Sequence, residues 1–90
     1  MVLFTRFIKA TEEDSRIGAT HISLYMALLF YWNRDQKNPF IINRQEIMSL
    51  AKIHSRHTYN VCMSQLHDYG YIRYYPSFNP LRGSEVFLLM

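Results

Sequence analysis

Leu3, Phe4, Phe7 and Ile8 recur at helical spacing and predict a short amphipathic helix at the N-terminus. It is expected to end in Glu12-Glu13-Asp14, ahead of a loop at Gly18, although acids at a helix C-terminus oppose the macrodipole. Thr20 can cap a second helix, His21 to about Arg34. That helix is apolar nearly all round, with Ile22, Leu24, Tyr25, Met26, Leu28, Leu29, Phe30, Tyr31 and Trp32. A helix apolar on every side needs cover on every side. One face is expected on the rest of the domain, the other under the N-terminal helix, a second subunit, or both.

Asn38-Pro39 marks a turn, and Phe40-Ile41-Ile42 is a short strand candidate. Asn43, with Glu46 three residues on, has capping-box spacing for a third helix whose buried stripe is Ile47, Leu50 and Ala51. Lys52-Ile53-His54 reads as a tight turn, and Ser55 caps a fourth helix ending at Gly70. In it Tyr59, Cys62, Leu66 and Tyr69 share one face. Tyr71 to Tyr75 alternates as a strand, residues 76–84 carry turn residues, and Ser84 to Met90 returns as a second strand. The reading is mainly α with a small β-hairpin. Residues 1–18 form a helix and loop, 19–36 the hydrophobic helix, and 40–90 the strand, two helices and hairpin of one domain.

Ninety residues suffice for one modest core, and 49% apolar content excludes disorder. Fourteen aromatic side chains in so small a chain hint at a shared surface. The single cysteine, Cys62, cannot form an internal disulfide. Met1 to Ala10 lacks the pattern of a signal peptide, and the longest apolar run, Leu24 to Trp32, is far short of the roughly 20 residues needed to cross a bilayer. A cytoplasmic protein off the membrane is expected. The formal charge of +3 is modest. Its distribution says more: between Lys52 and Ser84, Lys52, Arg56, Arg73 and Arg82 face a single acid, Asp68, while acids gather at Glu12, Glu13 and Asp14.

Two short helices across a tight turn free the second to enter a major groove, and the hairpin sets a basic loop beside it. The stretch Ser55 to Ile72, with Ser55, Thr58, Tyr59, Cys62, Leu66, Gly70 and Ile72 in their places, resembles the recognition helix and first wing strand of winged helix-turn-helix regulators. From His21-Ile-Ser-Leu-Tyr-Met-Ala-Leu28 through Pro39-Phe40 to Tyr75-Pro-Ser-Phe-Asn-Pro-Leu-Arg-Gly-Ser84, the chain resembles short bacterial winged-helix proteins labelled transcriptional regulators and often associated with mobile elements. The resemblance implies a winged helix-turn-helix with an extra N-terminal helix, binding double-stranded DNA. One departure is His54, where such proteins often have glycine; a histidine tolerates a left-handed backbone less well, which leaves the form of the turn open.

Helical geometry turns Arg56, His57, Asn60, Ser64 and Val61 outward. Arg56 suits guanine and Asn60 adenine. Ser55, Thr58 and Lys52 suit phosphates, with Arg82, Ser84 and Arg73 flanking from the wing at 76–84. Tyr74, Tyr75 and Phe78 read as hairpin packing ahead of a base-stacking platform. A metal among His54, His57, Cys62 and His67 is disfavoured, because His57 and Cys62 point about 140° apart on a helix. No hydrolase, phosphate-loop or zinc-protease motif is present, so neither an enzyme nor a cofactor is expected. The competing readings are a winged helix that binds protein and a replication or recombination accessory. The expected partners are double-stranded DNA and a second copy through residues 1–34, with no small-molecule effector.

Overall fold

The computed structural model describes Val2 to Ser77, Asn79 and Leu81 to Leu89. These residues form four helices and one three-stranded antiparallel sheet: α1 (Val2–Thr11), α2 (Ala19–Asp35), β1 (Phe40–Ile42), α3 (Arg44–Ala51), α4 (Arg56–Asp68), β2 (Ile72–Tyr75) and β3 (Ser84–Leu88). The chain is mainly helical, in the element order read from the sequence.

Helix α2 is the hub. Its Leu24 and Leu28 are fully buried in one core with Phe40, Ile47, Met63, Leu66, Ile72 and Val86, drawn from two other helices and all three strands. It begins earlier than the Thr20 cap expected of it, since Gly18 is the capping residue. Gly18 has no side chain to cap with. The ring of His21 takes part instead, its Nδ1 accepting the Gly18 N–H at 3.0 Å. The other ring nitrogen, Nε2, then carries the proton and donates to Gln65 Oε1 at 2.7 Å, tying the start of α2 to α4. The Ser23 hydroxyl donates to the Ala51 carbonyl and satisfies part of the C-terminus of α3.

Helix α1 covers the other side of α2. Phe7 is buried and stacks on Tyr25 with ring centroids 3.8 Å apart, and meets Tyr71 edge-on at 5.4 Å. The loop after α1 is pinned at the same place. Asp14 accepts two bonds from the Arg16 guanidinium, both at 2.8 Å, and a third from the Tyr71 hydroxyl at 2.7 Å. The Arg16 guanidinium carbon also lies 3.9 Å from the Tyr69 ring centroid. These bonds, Arg16 first and Tyr71 second, hold the Asp14 carboxyl well below the usual range. Burial, and then Asp14 itself, pushes the Tyr71 hydroxyl up to about 12.

Both helices flanking the turn end in Schellman motifs. At the end of α4 the Tyr71 N–H bonds the Leu66 carbonyl and the Gly70 N–H bonds that of His67, with Gly70 at φ +88°. At the end of α3 the Ile53 N–H reaches Met48 and the Lys52 N–H reaches Ser49. The left-handed residue is Lys52, at φ 62°, and among the non-glycine residues described only Gln36 shares that conformation. The open question at His54 is thus resolved: the turn places its left-handed residue two positions earlier. Leu50 is a correction, being 42% exposed where a buried position was expected; Ile47, Ala51 and Ile53 are the buried residues there. Asn43 caps α3, its Oδ1 accepting the Glu46 N–H at 3.2 Å. The Glu46 carboxylate does not complete the box; it accepts the Tyr31 hydroxyl at 3.1 Å.

In the sheet β3 is central, with Phe40 and Tyr74 both paired to Val86. The Asn38 side chain prolongs the β1 side of the ladder by bonding the N–H and carbonyl of Leu88, at 3.1 and 3.3 Å, just before the cis Asn38–Pro39 bond. His67 accepts the Tyr74 N–H at 2.9 Å, so α4 occupies a donor of strand β2. Gly83 seats the hairpin against β1. A Cβ there would lie 2.7 Å from Ile41 Cγ2 and 2.9 Å from the Ile42 carbonyl oxygen, at φ +75°.

Gly83→Ala is therefore expected to destabilise by about 2–3 kcal/mol, from the left-handed backbone and the overlap together. Lys52→Gly should stabilise by about 1 kcal/mol by removing the left-handed cost. Urea denaturation with an unchanged slope checks both. A carboxyl depressed on folding stabilises above its unfolded value, near 3.9, and loses that contribution as pH falls through the folded one. Asp14→Asn should accordingly lower the melting temperature at pH 7 and flatten its fall below about pH 4, read from melting curves across pH.

Candidate nucleic-acid interface

Ser55 sits at the N-terminus of α4 with extended backbone, and its Oγ accepts the Thr58 N–H at 3.1 Å. Tyr59, Cys62, Met63 and Leu66 bury one face of this helix. Met63 completes a stripe that sequence spacing had filled with Tyr69, which is only half-buried. The opposite face is open to solvent: Arg56, His57, Asn60, Val61 and Ser64 are all exposed, and Thr58 is half-buried. Three- and four-residue steps line up Arg56, Asn60 and Ser64 as one polar stripe with His57 and Val61 beside it.

Beside the first turns of α4 runs a cleft of about 400 Å³ between α3, α4 and the hairpin. Tyr59 and Tyr74 lie on its inner side; burial first, and then the neighbouring Tyr74 phenol, raises the Tyr59 hydroxyl above its ordinary range. Arg44, Gln45, Arg56 and Asn60 line the helical walls, and Ser77, Asn79, Gly83 and Ser84 the hairpin wall. No carboxylate lines it among the described residues. The hairpin wall is stiffened from within: Ser84 Oγ accepts the Ser77 N–H at 3.1 Å, and Ser77 Oγ accepts the Asn79 N–H at 3.2 Å.

Of the residues singled out in the sequence, Arg56, Asn60 and Ser84 are brought together here. Ser55, His57, Thr58 and Ser64 adjoin them on α4 without lining the cleft. Arg82 lies on the other side of the hairpin, in a shallow recess with Tyr75 and Glu85. Arg73 is exposed and pairs in register with Phe87, on the sheet face turned away from Ile72 and Tyr74. Lys52 is beside Phe30, Glu46 and Leu50 at the far end of α3. The expected hairpin packing of the aromatics divides: Tyr74 faces inward, Tyr75 is half exposed and edge-on to Phe87 at 5.9 Å, and Phe78 falls outside the described residues. His54 and His57 are exposed, whereas Cys62 is buried with its thiol pushed up by burial.

Sequence spacing missed Arg44, Gln45, Asn43, Ser77 and Asn79. One signal was available. Arg44 and Arg56 each occupy the first position of a helix, directly after the caps Asn43 and Ser55. The macrodipole disfavours a cation there by about 0.3–1 kcal/mol. Two such placements in one small chain, opening on one cleft, sacrifice helix stability for positive charge at a common surface. Comparison with known proteins finds no match to this chain among family models, curated proteins or solved structures.

Proposed function

We propose that this chain is a winged helix-turn-helix protein that binds double-stranded DNA, acting as a regulator and carrying out no catalysis. The observation that carries this reading is the acid-free cleft into which two helices each present an N-terminal arginine, Arg44 and Arg56. With α4 in the major groove, Arg56 and Asn60 reach base edges, where a guanidinium matches guanine and an amide matches adenine. Arg44 and the open hydroxyl and amide groups of the cleft take the phosphates, which position without specifying. The hairpin follows the flanking backbone or minor groove. A replication or recombination accessory would use the same surface.

A second reading concerns a different face. Helix α1 consumes much of the apolar surface expected to pair two copies through residues 1–34, since Phe7 is buried within the chain. Met26 and Phe30 of α2 stay 37% and 56% exposed, and Leu50 of α3 lies beside Phe30. These three residues are our proposed dimer surface, and also the surface a protein-binding module would use. No helix of the described chain is long and apolar enough to cross a membrane.

Binding to random-sequence duplex across a salt series is the direct test. The native chain should bind with a steep salt dependence, and Arg56→Ala/Asn60→Ala should weaken it. Arg44→Ala should weaken binding alike for all sequences and shallow the log–log salt slope by about 0.9. Both single arginine variants should unfold at slightly higher denaturant, by about 0.3–1 kcal/mol, as the dipole conflict is removed. No binding at low salt, or indifference to Arg44, Arg56 and Asn60 alike, overturns the reading. For the dimer, light scattering at high micromolar concentration should give twice the chain mass, and Phe30→Ser should halve it; a monomeric native chain refutes it. A dimer requires a near-palindromic site with half-sites about one helical turn apart.

A further inference from the structure

Among the described residues one large apolar side chain is almost wholly in water. Leu81 is 95% exposed, and the next, Phe30, is 56% exposed. An exposed leucine alone is ordinary on a protein surface, so its setting carries the weight. Leu81 sits in the loop joining β2 to β3, whose described residues are hydrogen-bonded to one another. Asn79 Oδ1 accepts the Leu81 N–H at 3.0 Å, and the Asn79 carbonyl accepts the Arg82 N–H at 3.1 Å. Ser84 Oγ holds Ser77, and Gly83 presses the hairpin onto Ile41 and Ile42 of β1. The N–H groups of Leu81 and Arg82 are thus both held by Asn79, which lowers the entropic cost of using these two residues. Arg82 follows immediately, on the side of the hairpin away from the cleft.

We propose that this chain bends the DNA it binds, with Leu81 entering the minor groove as an apolar wedge between base pairs and Arg82 beside it. The inference rests on the duplex-binding reading above. With α4 in the major groove, the cleft lined by Arg44 and Arg56 receives one sugar–phosphate strand. Beyond that strand lies the minor groove, towards which the far side of the hairpin carries Arg82, with Leu81 directly before it in the chain. Proteins that insert leucine or similar residues at such a place unstack a base step and kink the duplex by about 20–90°. Arginine is drawn to the negative potential of a narrowed minor groove.

The experiment is fluorescence energy transfer across an end-labelled duplex of about 30 base pairs, long enough to span a bent site, with the native chain, Leu81→Ser and Leu81→Met. The native complex should be bent by at least about 20°. Leu81→Ser should lose most of the bend while still binding, and Leu81→Met, which keeps an apolar wedge, should retain it. Unchanged melting of both variants is expected from the exposure of the site. A straight native complex, or a Leu81→Ser complex bent like the native one, overturns the wedge and leaves duplex binding standing. Absence of any duplex binding by the native chain at low salt overturns both.

Discussion

Helix α2 carries too much apolar surface to be left uncovered, and the rest of the molecule is arranged by that constraint. Leu24 and Leu28 need neighbours on one side, which α3, α4 and the sheet supply through Ile47, Met63, Leu66 and Phe40. Tyr25 needs a cover on another, which Phe7 of α1 provides by stacking. Polar links to α2 also serve helix ends that would otherwise leave groups unpaired. His21 receives the N–H before α2 and bonds Gln65 of α4, and Ser23 meets the last carbonyl of α3. Each link joins α2 to an element of the proposed DNA face, so the orientation of α3 and α4 is inherited from the core.

Around the cleft, stability and surface charge pull in opposite directions. Arg44 and Arg56 stand at the positive ends of their own helices. The caps Asn43 and Ser55 offset part of this by bonding the N–H groups of Glu46 and Thr58. Under the proposed DNA-binding reading, two such violations of local preference at one surface are the mark of the site, whose lost stability the surroundings must supply.

The hairpin shows how small residues set a large element. Its angle depends on Gly83, because any side chain there would strike β1. Its far wall depends on the short hydroxyl and amide side chains of Ser77, Asn79 and Ser84, which bond the loop backbone to itself. Ser84, read in the sequence as a DNA contact, has a structural task in the fold: its oxygen is an acceptor for Ser77.

Element order was legible in the sequence because it rests on local physics. Apolar spacing of three and four marked the helices, alternation marked β2 and β3, and Asn43, Ser55 and Gly70 marked ends that the structure confirms. The outward face of α4 followed from the same periodicity. What spacing along the chain left undetermined was whatever depends on two elements meeting. Leu50 is on an apolar period but finds no neighbour to bury it; the Glu46 carboxylate goes to Tyr31 because α2 passes beside α3. Arg44 joins Arg56 across a cleft, while Arg73 and Arg82 end on other sides of the sheet and hairpin. Periodicity fixes the direction of a side chain within its own element; only the packing of α2 against its neighbours decides which of those directions converge.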